Sequence, residues 1–203
     1  MRDRPLGEGV SSFPSFFILL FLPVLVAGIA FSPLKSAAQK SDAELSRYDR
    51  LAEEATRLNK RGQYDQVASL LEPFKEDKKN DSALFFNELG IAYRNLGKLP
   101  EAVRAYQEAG VRDPQNPVIL NNLGYVYYLK KEYSQAIASY EKAVRLVPRF
   151  KEVHSNLALV FYQMKKYEDA LQEVETVLRL DPNHEAARKF KEEIQQKLRA
   201  PKR

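Results

Sequence analysis

The chain has 203 residues, 32 of them basic and 27 acidic, for a net charge of +5, and 44% of it is hydrophobic. That length allows one or two domains, and the composition is that of a globular chain rather than a disordered one. There is no cysteine, no tryptophan and only two histidines, which excludes disulfides, thiolate metal sites, cysteine nucleophiles and lipidation of an N-terminal cysteine.

The first element is an address. Between Glu8 and Lys35 no residue is charged, and Phe16 to Phe31 is apolar almost throughout. Arg2 and Arg4 precede it, and the small residues Ser36, Ala37 and Ala38 follow. A basic start, an apolar middle and a small-residue exit make the layout of a secretory signal peptide, with cleavage expected between Ala38 and Gln39. The competing reading is an uncleaved membrane anchor. Against it, the apolar core runs for 16 residues with Pro23 inside it, whereas a bilayer span prefers about 20. Either way the rest of the chain is expected to be exported: periplasmic or secreted if the leader is cut, held on the inner membrane if not.

Residues 1–38 take three basic and two acidic side chains with them, leaving 29 basic and 25 acidic, a net of +4. Residues 185–203 hold seven basic and three acidic side chains, also a net of +4. Residues 39–184 are therefore neutral, and the basic character belongs to the tail.

A linker at 39–47 leads into a sequence that repeats every 34 residues. Leu89-Gly90, Leu123-Gly124 and Leu157-Ala158 fall in one register. The same register aligns Tyr93, Tyr127 and Phe161, then Ala102, Ala136 and Ala170, then Tyr106, Tyr140 and Val174. It continues through Ala109, Ala143 and Val177 to Pro114, Pro148 and Pro182. A fixed period of this length marks a solenoid of stacked supersecondary units. In the first unit Phe86, Leu89, Gly90 and Tyr93 form one helical stripe, and Ala102, Tyr106 and Ala109 form a second. Between them, Gly97 suits a helix C-terminus. Gly90 and Ala102 sit where the paired helices cross, so the backbones can approach closely.

These residues resemble the tetratricopeptide repeat family. The resemblance implies an all-α, right-handed solenoid of antiparallel helix pairs, with clear repeats at 83–116, 117–150 and 151–184. The family's early aromatic position holds Phe86, Leu120 and His154. A divergent repeat at 48–82 precedes them, one residue longer, with Leu51, Ala55, Leu58, Gly62, Tyr64, Val67 and Leu71 in matching columns. Residues 185–203 read as a capping helix and basic tail, with Phe190, Ile194 and Leu198 on one stripe.

No catalytic constellation stands out. His154 lies on a buried stripe and His184 at a repeat boundary, too far apart in sequence to bind metal from one helix face. Glu53-Glu54 and Glu192-Glu193 are adjacent pairs that point apart on a helix. No nucleotide, zinc-protease or serine-hydrolase motif occurs. The expectation is a non-enzyme with no cofactor, no metal and no small-molecule substrate.

The resemblance implies that the first helix of each repeat lines a concave groove. Residues one step off the buried stripe then face it: Leu84, Asn87, Ile91 and Arg94; Val118, Asn121, Tyr125 and Tyr128; Glu152, Ser155, Leu159 and Tyr162. The neighbouring column holds Glu88, Asn122 and Asn156. Long members of the family use an asparagine row to hold the backbone of an extended peptide, and Asn122 and Asn156 match it while Glu88 departs. An amide offers both a donor and an acceptor. Other members grip a C-terminal carboxylate with groove lysines and an arginine, and Glu152 and Asn156 stand where that clamp would need basic groups. The expected groove set is Asn87, Ile91, Asn121, Asn122, Tyr125, Tyr128, Ser155, Asn156 and Tyr162.

The expected function is an exported adaptor that binds a protein or extended peptide in this groove during assembly of a cell-envelope complex. The alternative is an architectural subunit that docks through its convex face or basic cap while the groove stays idle. The basic tail reads as a solvated face or as a membrane-surface contact. Nucleic acid is not expected, because the chain is exported and no aromatic residues interleave the charges.

Overall fold

The computed structural model describes residues 46–199, and the leader with its Ala38–Gln39 cleavage site lies outside them. Nine α-helices and one 3₁₀ turn follow one another among the described residues. They are α1 (Arg47–Lys60), α2 (Tyr64–Leu71), the turn Glu72–Phe74, α3 (Ala83–Asn95), α4 (Leu99–Arg112), α5 (Pro117–Leu129), α6 (Tyr133–Leu146), α7 (Lys151–Gln163), α8 (Tyr167–Leu180) and α9 (Glu185–Arg199). The fold is an all-helical tetratricopeptide-type solenoid. The odd-numbered helices form one layer and the even-numbered the other, each packing on its neighbours in sequence.

Local chemistry sets the helix ends. Ser46 and Asp49 form a reciprocal capping box that opens α1. The Ser82 hydroxyl caps α3 by accepting from the Phe85 N–H at 3.2 Å. Asn116 caps α5, with Pro117 at the first helical position, where its missing N–H costs nothing. Asn80-Asp81-Ser82 has the spacing of a glycosylation acceptor, but Asn80 is 1% exposed and accepts from the Ser82 N–H, so it serves this turn instead.

Each first helix of a pair closes on the same hydrogen-bonded turn. The N–H of Gln63, Lys98, Glu132 and Lys166 donates back to the carbonyl of Leu58, Tyr93, Tyr127 and Phe161 at 2.9–3.0 Å. The N–H one residue earlier closes the inner bond, which together make a Schellman motif. The motif needs a left-handed residue. Gly62 and Gly97 supply it at φ +72° and +74°, but Lys131 and Lys165 stand there in the later repeats at φ 62° and 59°. For a residue with a Cβ that conformation costs about 1 kcal/mol or more.

The helix pairs lock through a glycine and a tyrosine. A Cβ built on Gly90 would lie 2.7 Å from the Tyr106 ring, and one on Gly124 2.7 Å from the Tyr140 ring. Both rings are fully buried. In the last pair Ala158 faces Val174 in the same columns, both buried, so a smaller partner admits the methyl group. Ala102, Ala136 and Ala170 are fully buried at the same crossings.

The core divides into two clusters. The larger runs from Tyr48 to Val160, and the smaller joins Ala158, Ala170, Val174, Val177, Ala187 and Ile194, with Phe161 bordering both. The first pair is irregular. The helix α2 has 8 residues where α4, α6 and α8 have 14, and Pro73 lies in the turn that ends it. Arg112 secures the chain beyond, donating to the Asn80 carbonyl at 3.0 Å and stacking 4.1 Å over the Phe86 ring.

Two outcomes follow. Gly124→Ala should destabilise by about 1–2 kcal/mol through overpacking, and by clearly less in a Tyr140→Val background; equal costs in a urea-denaturation cycle would refute the lock. Lys131→Gly and Lys165→Gly should each raise stability by about 0.5–1 kcal/mol by relieving the left-handed turn, read as a higher midpoint at unchanged slope.

Candidate functional site

The inner layer of helices places the expected groove residues side by side, and it pairs the asparagines with one another. The Asn122 amide donates to Asn87 Oδ1 at 3.0 Å, and the Asn156 amide to Asn121 Oδ1 at 2.9 Å. These links span 35 residues, one more than the repeat, because each joins a column to its neighbour in the preceding repeat. Glu88 closes the ladder at its N-terminal end. Its carboxylate accepts from the Asn59 amide at 2.8 Å and from the Asn87 amide at 3.2 Å. Asn87 and Glu88 are buried at 8% and 5% exposure, so both serve the ladder rather than an incoming ligand. Asn121, Asn122 and Asn156 are half-buried. A pairing that uses one side of each amide leaves the other side with donor or acceptor capacity. The pairing also fixes the side chains, which lowers the cost of binding through them.

The centre of the groove is α5, whose 13 residues carry no charge. Tyr125 and Tyr128 stack with ring centroids 6.0 Å apart, and Tyr128 lies 6.3 Å from Tyr133. Arg94 sits 5.4 Å over the Tyr125 ring, a cation–π contact that fixes its tilt. Both groove tyrosines are half-buried against the core and keep part of their surface exposed. Burial pushes the Tyr128 phenol above its ordinary value. Exposed apolar side chains flank this patch, with Val118 at 49%, Leu84 at 42% and Leu159 at 36%. Ile91 is half-buried and packs into the core. The Ser155 hydroxyl turns back to the Lys151 carbonyl at 3.1 Å.

At the C-terminal end α9 enters the groove. The Tyr162 hydroxyl donates to Glu193, which together with burial pushes its pKa up to about 12. Its ring meets Tyr167 at 5.5 Å and Phe190 at 5.2 Å. Tyr162 is thus engaged by the capping helix. Carrying the 34-residue period one step further puts Phe190 in the column of Asn156 and Glu193 in the column of Leu159, a signal already present in the sequence.

The remaining polar groups are structural in geometry. His154 is buried between Glu173 at 2.6 Å and the Pro148 carbonyl at 3.0 Å, tying α7 to α8 and to the preceding turn. The His184 ring accepts from the Ala187 N–H at the start of α9. Tyr93 donates to Glu72 at 3.0 Å, while Gln107 donates to the Tyr127 hydroxyl at 3.2 Å. The Tyr106 and Tyr140 hydroxyls are buried without a partner, and burial raises both phenols. No cluster of three or more His, Asp or Glu fit for a metal occurs among the described residues. No helix among them is long and apolar enough to cross a membrane.

The fold and groove define a class, the helical-repeat scaffolds built from stacked helix pairs. Family models for the TPR repeat match residues 90–131 and 125–165, and a tetratricopeptide repeat model matches 151–184. The first TPR of Spaghetti (RPAP3), solved bound to the HSP90 peptide SRMEEVD, is 30% identical; the match covers 58% of this chain and 94% of that one at a TM-score of 0.56. The chain therefore belongs to the tetratricopeptide repeat family. PilF of Pseudomonas aeruginosa is 27% identical over 75% of this chain and 69% of its own, at a TM-score of 0.67. MamA AMB-1, at 20% identity and a TM-score of 0.63, covers 75% of this chain and 82% of its own and shares the fold. Among curated proteins no significant match was found.

One ion pair near the groove gives a pH signature. Lys151 and Asp181 lie 2.8 Å apart, joining the start of α7 to the end of α8. Hydrogen bonding to Lys151 holds the Asp181 carboxyl below the ordinary 3.8, and the Tyr48 hydroxyl does the same for Asp77. A carboxyl lowered on folding contributes stability above its unfolded value and loses it as pH falls through the folded one. Thermal midpoints should therefore fall below about pH 4. Asp181→Asn should have a lower midpoint at pH 7, and the gap to wild type should close in acid. A gap independent of pH would refute the pair's contribution.

Proposed function

We propose that this protein is an exported, non-catalytic adaptor that holds an extended segment of a partner protein in its inner groove, in the assembly of a cell-envelope complex. The observation that carries the groove reading is the α5 face, which presents Asn121, Asn122, Tyr125 and Tyr128 with no charge on the helix. Amides fixed by pairing hold a peptide backbone without reading its sequence, and half-buried tyrosine rings add contact area at low entropic cost. The peptide-bound relative supports peptide binding by a scaffold of this kind. Its ligand SRMEEVD is acidic, whereas the groove here has Glu152 and Asn156 where basic groups would grip a carboxylate. The segment bound here is accordingly of a different chemistry. Export rests on the charge-free stretch between Glu8 and Lys35.

A second reading has its own observation. Lys189, Lys197 and Arg199 are exposed on the outer part of α9, while Lys191 is paired with Glu175 at 2.8 Å. A cap so charged could dock an acidic subunit or an anionic membrane surface and leave the groove idle.

An affinity pull-down from the envelope fraction separates them. The bait is wild type beside an Asn122→Ala, Tyr125→Ala, Tyr128→Ala variant and a Lys189→Glu, Lys197→Glu variant. Loss of a partner with the groove variant alone, by about tenfold or more, is expected. Loss with the cap variant alone would replace the groove reading with the architectural one.

A further inference from the structure

Beside Ser155 and Leu159 of the groove lies a cavity of about 240 Å³, bounded by α7, α8 and α9. Its walls are Ser155, Leu159, Val174, Val177, Ala187 and Phe190, with half-buried His184 and exposed Ala186 beside them. The Ser155 hydroxyl donates to the Lys151 carbonyl, and His184 Nδ1 accepts from the Ala187 N–H. The other lining side chains are apolar. The volume is below the roughly 300–1,000 Å³ of sites that take a whole small ligand, so it suits one side chain.

The repeats themselves show what kind of side chain. The column that holds Val174 here holds Tyr106 and Tyr140 in the two preceding repeats. Those rings lie against Gly90 and Gly124 and are fully buried between the paired helices. In the last repeat Ala158 and Val174 replace the glycine and tyrosine, and Leu159 stands in the column of Tyr125. The Ala158 methyl takes up part of the volume a tyrosine ring fills elsewhere, and Val174 leaves the rest unfilled where it lines the cavity beside Ser155 and Leu159.

We infer that this cavity is an anchor site for one aromatic side chain of the segment bound in the groove, the incoming ring taking the place of the absent tyrosine. The inference rests on the groove reading and adds the partner's chemistry. Between Arg94 and Glu152 the groove floor carries no charge on α5, so a charged side chain laid there meets no opposite charge on that helix once past Arg94. The segment is therefore uncharged along α5 and carries an aromatic residue at the α7–α9 end. Adjacent inner helices lie about 8–10 Å apart, and an extended chain rises about 3.3 Å per residue. The aromatic thus falls about three residues from the one over Tyr125.

The test uses methyl-labelled protein as purified from the producing host, titrated with N-acetyl-phenylalaninamide, N-acetyl-lysinamide and N-acetyl-aspartamide. The aromatic probe alone should shift the methyl signals of Leu159, Val174, Val177 and Ala187, saturating in the millimolar range as befits so small a ligand. An Ala158→Gly, Val174→Tyr variant refills the cavity in the manner of the other repeats and should fold and lose the shifts. Should that pair fail to fold, Ala186→Trp plugs the rim from an exposed position and gives the same readout. No shifts in wild type, equal shifts from the lysine probe, or shifts that persist in a folded plugged variant would overturn the anchor site. So would a wild-type dimer in sedimentation that the plugged variant splits, since the occupant would then be a second copy. The pull-down with Tyr125 and Tyr128 substitutions is independent of these readouts: a partner lost there but retained by the plugged variant keeps the groove and removes the anchor.

Discussion

The close approach of two helices without a side chain between them is the constraint on which the rest of this structure depends. Gly90 and Gly124 leave room for the rings of Tyr106 and Tyr140 against bare backbone. Small residues at a crossing let axes approach to the short end of the usual range, and interiors tolerate neither a gap nor an overlap. Once each pair is locked at that distance, the next can stack on it in only one register. The inner faces of α3, α5 and α7 then line up, and the asparagine ladder forms between them. The groove is a consequence of that packing, since nothing in α5 alone would place Tyr125 beside Arg94 or Asn122 beside Asn87.

Much of this is legible in the chain because repetition amplifies weak signals. A single leucine-glycine pair says little, but the same pair with tyrosine, alanine and proline at a constant spacing of 34 specifies both helices and the turn between them. The asparagine ladder was harder to read. Its partners are 35 residues apart, so column-by-column alignment separates groups that the structure bonds together. Asn87 has the register of a groove contact but is buried, its amide hydrogen-bonded to both Glu88 and Asn122. Tyr162 was readable as a groove side chain but not as one already engaged, since that depends on Glu193 and Phe190 in a helix outside the clear repeats. The truncation of α2 is signalled by Pro73, although its eight-residue length depends on where the following turn folds back.

Buried polar groups divide by what they do for the stack. His154 bridges α7, α8 and the turn before α7, in a column where the earlier repeats hold Phe86 and Leu120. Three elements are joined by the hydrogen bonds of one side chain, which a phenylalanine could join only by packing. The Tyr106 and Tyr140 hydroxyls find no partner. Their rings supply shape, and the buried oxygen is a cost the packing offsets.

The division of the core into two clusters bears on how the molecule comes apart. In a linear array each unit leans only on its neighbours, so opening can begin at an end and travel inward. Here the smaller cluster takes in Ala158 of α7 with residues of α8 and α9, and Phe161 borders both clusters. His154 and Lys151 bind α7 to α8 through Glu173 and Asp181, so α8 does not part easily from the repeats before it. The end from which opening starts is α9, which packs on α8 and is held to α7 by Tyr162. The cavity between α7 and α9 lies at that same end, so a side chain seated in it would act as a fastener that slows the fraying of the last helix.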